Sequence, residues 1–450
     1  DLHSTSRRQR PMCIRDRSWS MEILFVILSL VLLIFLCFKG IPIFFSAMIS
    51  GIFLLLTAGM NPVEQMTTTY VNGLAGYFGK FFFIFVLGSL FGKLTDISGA
   101  ADAIAKTIID KLGDKFIIPS IVIAGAVLTY GGVSVFVCMF TLYPLMVSLF
   151  KRGDISRTLI PAVYFAGAGT FTGMMPGSPQ IQNLMPGQIL GTPATAAMLP
   201  GMLAAAFEAV LVFVFIIWYT NRSKKKGMHF EMTEKDRAML ELKASKELPG
   251  FFIALLPMLI LLVALNVLKL SAELALFVGF ISGLICYSKF IPWKDIWKHL
   301  SDGTKDGTGS LFNTSAVVGF GSLVQVTPAF ATLISSVTNI GGSPLIASGL
   351  AVTMLAGVCG SGSGGLGIAL PIIKDYFVPM GVNVEALHRV SALASLGLDS
   401  LPHNGLVVSV LNVTENNHKQ SYFPIFVTTC VIPLLTLVFL IALFYAFGMA

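Results

Sequence analysis

Apolar runs of about twenty residues recur along this chain, and each is long enough to cross the ~30 Å hydrocarbon layer of a bilayer as a helix. The clear ones are 21–38, 41–57, 77–97, 197–219, 250–268, 272–288, 309–327 and 422–447. Lipid offers no partner for backbone N–H and C=O groups, so such runs must satisfy their hydrogen bonds internally as helices. Charged residues make up only 12% of the sequence, against roughly 25% in soluble domains. The expected fold is therefore an all-α polytopic membrane protein.

Several function classes are excluded at this level. The net charge of +7 comes from basic residues in loops beside apolar runs, where a topology signal belongs, so no nucleic-acid partner is expected. Cys13, Cys37, Cys138, Cys286, Cys359 and Cys430 are scattered without C-x-x-C spacing, so neither a disulfide framework nor a metal site is expected. No Walker A, G-x-S-x-G or H-E-x-x-H sequence occurs. Gly362, Gly364 and Gly367 satisfy G-x-G-x-x-G, but in an apolar run with no βαβ unit around them. No cofactor and no catalytic residue is expected. Residues 1–20 carry Arg7, Arg8, Arg10, Arg15 and Arg17 and no apolar period; they read as a polar arm foreign to the fold, with Met21 opening the first span.

Three stretches are apolar yet interrupted: 116–150 at Gly131 and Gly132, 157–190 at Gly173 and Pro176–Pro179, and 344–412 at Gly360–Gly367 and again at Pro402. Their recurrence suggests an internal repeat. Ile49-Ser50-Gly51 returns as Ile281-Ser282-Gly283, Gly88-Ser89-Leu90 as Gly321-Ser322-Leu323, Pro144 as Pro371 and Pro176 as Pro402. The reading is two transmembrane halves, 21–219 and 250–450, joined by a loop at 220–249. That loop holds Arg222 and Lys224–Lys226 and is expected to be cytoplasmic. Loop 58–76 lacks Lys and Arg, while its counterpart 289–308 has Lys289, Lys294, Lys298 and Lys305; segment 99–115 has three Lys, while 328–343 has none. Equivalent loops thus fall on opposite sides, so the repeats are inverted. An odd number of crossings follows for each half, about five, with 116–150 and 344–378 as re-entrant hairpins and 157–190 and 386–412 as broken helices. Arg389 falls on the outer side in this scheme and strains it.

Irregular backbone at membrane depth is tolerated only where protein or a water-filled cavity covers it, and transporters use it to hold substrate and ions. Four candidate segments follow. They are the tip Gly131, Gly132 and Ser134; the break Gly177, Ser178, Gln180, Gln182 and Asn183; the tip Ser361, Gly362 and Ser363; and the break around Asn404. Glycines let backbone approach a ligand, and hydroxyls and amides both donate and accept, as a hydroxy acid requires. Small residues also serve tight helix packing, but clustering of glycine, proline and polar residues at matching points favours a site. Glu208 lies mid-way along an apolar run, and Asp399 and His403 flank the second break. A charge at the bilayer centre costs at least ~2.5–3.5 kcal/mol, so each needs a partner or a role. Proton carriage is the candidate role for all three; the alternatives are a carboxyl bonded across a helix interface for Glu208, a held cation, a bond to His403 or a cap on the following half-helix for Asp399, and a hydrogen-bonded filler of the break for His403.

These residues resemble the gluconate permease family, the gluconate:proton symporters of the ion transporter superfamily. The likeness rests on Gly169-Thr170-Phe171-Thr172 leading into Pro176-Gly177-Ser178-Pro179-Gln180-Ile181-Gln182-Asn183, on Phe312 to Gly321, and on Leu398-Asp399-Ser400-Leu401-Pro402-His403-Asn404-Gly405. It implies proton-coupled uptake of gluconate, 3-hydroxybutyrate or a similar hydroxy-carboxylate, and adds Asn313 and Thr314 as lining residues. The expectation is a multi-pass protein of the bacterial inner membrane whose partners are a small organic anion, a proton and lipid, with a homodimer as candidate assembly. Sodium coupling and sodium/proton antiport are the alternatives within transport. A passive channel, or an intramembrane hydrolase using Ser361 and His403, are the alternatives outside it.

Overall fold

The computed structural model describes residues 12–243, 247–329, 343–402 and 404–450, and among these the regular structure is helical throughout. The first half begins with α1 (Met12–Phe38), α2 (Ile43–Thr57) and α3 (Pro62–Ile97). A short helix α4 (Ala100–Leu112) leads into a helical hairpin, α5 (Ile117–Tyr130) and α6 (Val135–Arg152). A helix broken into α7 (Ile160–Ala168) and α8 (Ile181–Leu190) and the long α9 (Met198–Lys225) complete it. After α10 (Glu234–Lys243) in the connecting loop, the order returns. It runs α11 (Phe251–Asn266), α12 (Ala272–Cys286), α13 (Ile296–Gln325), the hairpin α14 (Pro344–Cys359) and α15 (Gly362–Phe377), the broken pair α16 (Val384–Ala394) and α17 (Gly405–Val413), and α18 (His418–Ala446).

Three described helices, α3, α9 and α18, are long and apolar enough to cross a membrane alone. The 15 residues of α2 and α12 and the 16 of α11 rise only about 23 Å, so flanking residues must complete those crossings. The segments read as loops are shorter than expected. Asn61 caps Val63 and Glu64 ahead of Pro62, so helix begins there and not at 77. Segment 99–115 is largely α4, with one face buried, and 289–308 ends in the first turns of α13. Polar residues continue these helices beyond the apolar runs because a helix carries its own hydrogen bonds into the headgroup region. Most of 328–343, and residues 1–11 of the arm, lie outside the described residues.

Helices α3 and α13 pack along each other, α2 rests on α13, and α12 rests on α3. The α3–α13 crossing is close because the contact is made of small residues. Ser89 Oγ donates to the Gly303 carbonyl at 2.8 Å, and a Cβ on Gly307 would lie 2.9 Å from the Phe85 carbonyl. The hairpins and broken helices form the rest of the core: α5 packs on α7, α8 on α15 and α16, and α9 on α18.

The connecting loop is fastened to this body by a buried cluster. The Asp236 side chain is fully buried. It accepts from Arg157 Nε at 3.0 Å and from Tyr143 at 2.5 Å, while Arg157 Nη2 also lies 3.7 Å from Glu415. Lys235 donates to the Val413 carbonyl at 3.2 Å. Loop helix α10 thereby reaches the first hairpin, the entry to α7 and the exit of α17. Burial opposes ionisation of Asp236, but the hydrogen bonds from Tyr143 and Arg157 outweigh it and hold its carboxyl below the usual carboxylate range. Removing one partner of a buried pair leaves an uncompensated charge, so Asp236→Ala is expected to destabilise the protein by on the order of 3 kcal/mol. A carboxyl with a lowered folded pKa contributes fully above the unfolded value of about 3.9, and the contribution is lost as pH falls through the folded value. Thermal unfolding in detergent should therefore show a wild-type-to-variant gap that is constant from pH 8 to 5 and shrinks below pH 4.

Candidate functional site

Each hairpin tip is built the same way: a helix ends, glycine reverses the chain, and a serine starts the next helix. In the first, Gly132 has φ +100° and Ser134 accepts from the Val137 amide at 3.4 Å. In the second, Gly360 has φ +56° and Ser361 accepts from the Gly364 amide at 3.3 Å. Positive φ is inexpensive only for glycine, which is why the turns fall there. Gly131 and Gly132 are buried against Met258, Leu261 and Phe91, so the first tip is sealed by apolar side chains of α11 and α3.

Each break is tied to the tip of its own half by one amide. Gln180 Nε2 donates to the carbonyls of Thr129 and of Val133, the latter at 3.2 Å. Asn404 Nδ2 donates to the Gly360 carbonyl at 2.9 Å and to the Asp399 carbonyl at 2.8 Å, while its Oδ1 caps α17 at Val407. Thr129 and Thr172 share a hydroxyl hydrogen bond at 2.9 Å, Tyr130 donates to the Pro176 carbonyl at 3.0 Å, and Asn266 of α11 donates to the Gly177 carbonyl at 2.9 Å. Open helix ends at depth are thus satisfied by side chains, as they must be. The two breaks also meet: a Cβ on Gly173 would contact Leu396 at 3.3 Å.

The second half collects the expected polar residues more tightly. Ser363 lies 3.2 Å from Ser361 Oγ and 3.4 Å from Thr314 Oγ1 of α13, so three hydroxyls form a chain across the tip. Asp399 lies beside the first residue of α15, its Oδ2 3.2 Å from where a Gly362 Cβ would stand, and accepts from Ser400 Oγ at 2.8 Å. Asn313 points away from this chain and is exposed, and Gln182 is half-buried at the start of α8. Ser178 is buried and accepts from the Gln180 amide at 3.3 Å. His403 lies outside the described residues. Glu208 is fully buried in α9, and neither carboxyl oxygen has a hydrogen-bond partner among the described residues.

Arg389 is the largest departure from the sequence reading. It is no loop charge on the outer side but a fully buried side chain of α16. Its guanidinium donates to the carbonyls of Met174, Ala194 and Ala196, the last at 2.7 Å, and to Asn183 Oδ1 at 2.8 Å. It therefore counts toward no loop, and the strain it placed on the charge pattern disappears. Its neighbour His388 bonds Asn183 Oδ1 at 3.0 Å and Thr192 Oγ1 at 2.6 Å, and Glu385 accepts from the Ala197 amide at 2.8 Å. Residues i, i+3 and i+4 of one helix share a face, so α16 grips the first break and the 191–197 connection with three side chains. That spacing was present in the sequence; what it faced was not. Asn183, expected as a ligand, is the hub of this grip and also donates to the Ser178 and Ala194 carbonyls.

Known proteins resemble this chain in sequence and in fold. The model of the GntP family permease matches residues 21–281. An uncharacterized transporter, YxjC, of Bacillus subtilis (strain 168) is 32% identical over 91% of this chain and 96% of its own length. A gluconate permease of Bacillus licheniformis is 29% identical over 54% of each chain. The D-serine transporter DsdX of Escherichia coli (strain K12) is 23% identical over 80% of this chain and 84% of its own. Among solved structures, the Alcanivorax borkumensis YdaH transporter superposes with a TM-score of 0.54 at 14% identity, covering 86% of this chain and 89% of that one, a likeness of fold.

The Arg389 grip can be tested directly. Arg389→Met strips the guanidinium donors from the buried Met174 and Ala196 carbonyls, each costing about 1–3 kcal/mol, while Asn183 Oδ1 keeps His388 and the Ala194 carbonyl keeps Asn183. The variant is expected to lose on the order of 3 kcal/mol of stability in detergent unfolding. Arg389→Lys should recover only part, because an ammonium cannot span the partners of a planar fork. Unchanged melting of Arg389→Met would sink the assignment.

Proposed function

The chain belongs to the GntP permease family and is a multi-pass membrane transporter, and on that premise we propose that it is a proton-coupled symporter of a small hydroxy-carboxylate, such as gluconate or 3-hydroxybutyrate, in the bacterial inner membrane. The observation that carries this reading is the meeting of two helix breaks, each laced to a glycine-turned hairpin tip, with the hydroxyls of Thr314, Ser361 and Ser363 gathered at one of them. Irregular backbone of this kind at membrane depth is the usual setting of a transporter's substrate site. The matching order of elements in 21–219 and 250–450, and the opposite charge of equivalent loops, support inverted repeats about that site.

The division of labour follows from which groups are already engaged. Gln180, Asn183 and Asn404 spend their amides on backbone, so they shape the site and leave the hydroxyls and tip amides to meet the anion. Gly177 and Ser178 hold the first break in the form that Gln180 locks. The N-terminus of α15 at Gly362 favours a carboxylate through its dipole. Asp399 stands beside that amide end, so anion and Asp399 compete there unless Asp399 carries a proton when the anion arrives. Glu208 is the second proton site. An ionised carboxyl with no partner is costly at this depth, and the buried position puts its proton out of reach until the surrounding helices move.

Uptake of labelled gluconate, 3-hydroxybutyrate and serine into proteoliposomes tests the reading. Accumulation of a hydroxy-carboxylate is expected with an inward proton gradient, abolished by a protonophore and unchanged when sodium is replaced by potassium. Glu208→Gln should lose accumulation by tenfold or more. A requirement for sodium with indifference to acid would move the coupling to sodium; full acid-driven uptake by Glu208→Gln would remove Glu208 from the mechanism.

A further inference from the structure

Beyond the tips and breaks lies a cavity of about 330 Å³, enclosed by the end of α8, the connection that follows it and the turn between α11 and α12. Its size suits a small organic molecule. Lys269 is the one cation among the residues that line it. Lys269 is exposed and sits in left-handed backbone at φ +52°, a conformation that costs a residue with a side chain roughly 1 kcal/mol. Glu273 also lines the cavity but is engaged, accepting from Gln188 Nε2 at 2.7 Å. The inner wall includes Asn183 and Thr192. These are the two side chains that His388 bonds, and Asn183 is also held by Arg389. The cavity and the first helix break therefore share a wall made of hydrogen bonds that can open.

Both covering connections lie on the face away from the basic loop. Helix α9 runs from the 191–197 connection to Arg222, Lys224 and Lys225 in its last turn, and α11 runs from that basic loop to Lys269. Basic loops are retained in the cytoplasm, so the cavity opens outward.

We propose that this cavity is an outer vestibule that receives the carboxylate of the transported anion at Lys269, with Asn183 and Thr192 as the door between it and the site at the tips. The proposal rests on the transport reading and adds an entry site to it. A carboxylate entering the vestibule gains a charge-assisted bond from Lys269. It then offers Asn183 and Thr192 an alternative partner to His388, and so loosens the wall it must pass. Lys269 and Glu273 leave the lining with no net charge, so the attraction is confined to contact with Lys269, and salt screens it.

The test is Lys269→Cys in right-side-out vesicles, treated with membrane-impermeant methanethiosulfonates that are either cationic or anionic. The unsubstituted protein, none of whose cysteines lines the cavity, is the control. The half-saturating gluconate concentration is expected to rise about tenfold in the variant, with little change in maximal rate. It should return toward the original value with the cationic reagent and rise further with the anionic one. Gluconate should slow modification of the new cysteine. Half-saturation indifferent to all three states of position 269, or a cysteine that outside reagent cannot reach, overturns the vestibule. Protection is read without transport. Hence a protein that moves no hydroxy-carboxylate, yet whose cysteine is shielded by one, retains the vestibule and loses the transport reading, while brisk uptake with no protection does the reverse.

Discussion

A broken helix inside a membrane leaves carbonyls and amides with no water to satisfy them, and the first break of this protein is solved by a guanidinium from the other half of the chain. Arg389 is fully buried, with no carboxylate in ion-pair range among the described residues, and spends its donors on the Met174, Ala194 and Ala196 carbonyls and on Asn183. The cost of burying that charge is offset because every direction of its planar fork finds an acceptor. The consequence reaches further than the break. The interval between α8 and α9 is fastened to α16, so the first break can move apart from the second half's broken helix only by releasing these bonds.

Room for this arrangement is made by small residues. A Cβ on Gly201 would stand 2.5 Å from Pro176 and 3.0 Å from Arg389 Nε, so α9 lies directly against both. The amide ties have the same logic. One donor pair on Gln180 and one on Asn404 close the ends of helices that would otherwise fray. Around the tips and breaks, the Glu208 carboxyl keeps no hydrogen-bond partner among the described residues, whereas the second tip's hydroxyls bond one another and Asp399 bonds Ser400.

The positions of the tips and breaks were legible in the sequence because they are backbone events. Gly132 and Gly360 take positive φ and Pro176 lies among Gly173, Gly177 and Pro179, clusters that end a helix where a single Pro144 or Pro257 does not. The roles of the side chains beside them were less legible. Gln180, Asn183 and Asn404 read as ligands because an amide's valences are visible in the sequence and its partners are not. Arg389 read as a loop charge because a lone arginine near Gly381 and Asn383 resembles the end of a span. Its burial depends on acceptors nearly 200 residues away. The cavity at Lys269 is assembled from two separated stretches, 183–194 and 265–273, neither of which is unusual alone. The GntP family match was legible from the blocks around 176–183, 312–321 and 398–405, because those blocks hold the breaks and the helix against them.

On the proposed symport reading, the placement of charge inside the bundle bears on how an anion and a proton would travel together. Gly201, against Arg389, and Glu208 lie seven residues apart on α9, two turns of one face and about 10 Å along the axis. Arg389 makes that end of the interior favourable to a negative group, yet its donors are committed to backbone carbonyls and to Asn183, so it attracts without binding. An anion drawn toward the breaks meets Asp399 at the amide end it would occupy, and Glu208 further along the same interior. Each carboxyl repels the anion when ionised and not when protonated. In the proposed symport, entry of the anion would be easier with protons aboard, and release of the protons on the other side would push the anion out. Coupling then needs no contact between proton and substrate, only a shared low-dielectric space in which unlike occupants lower each other's cost.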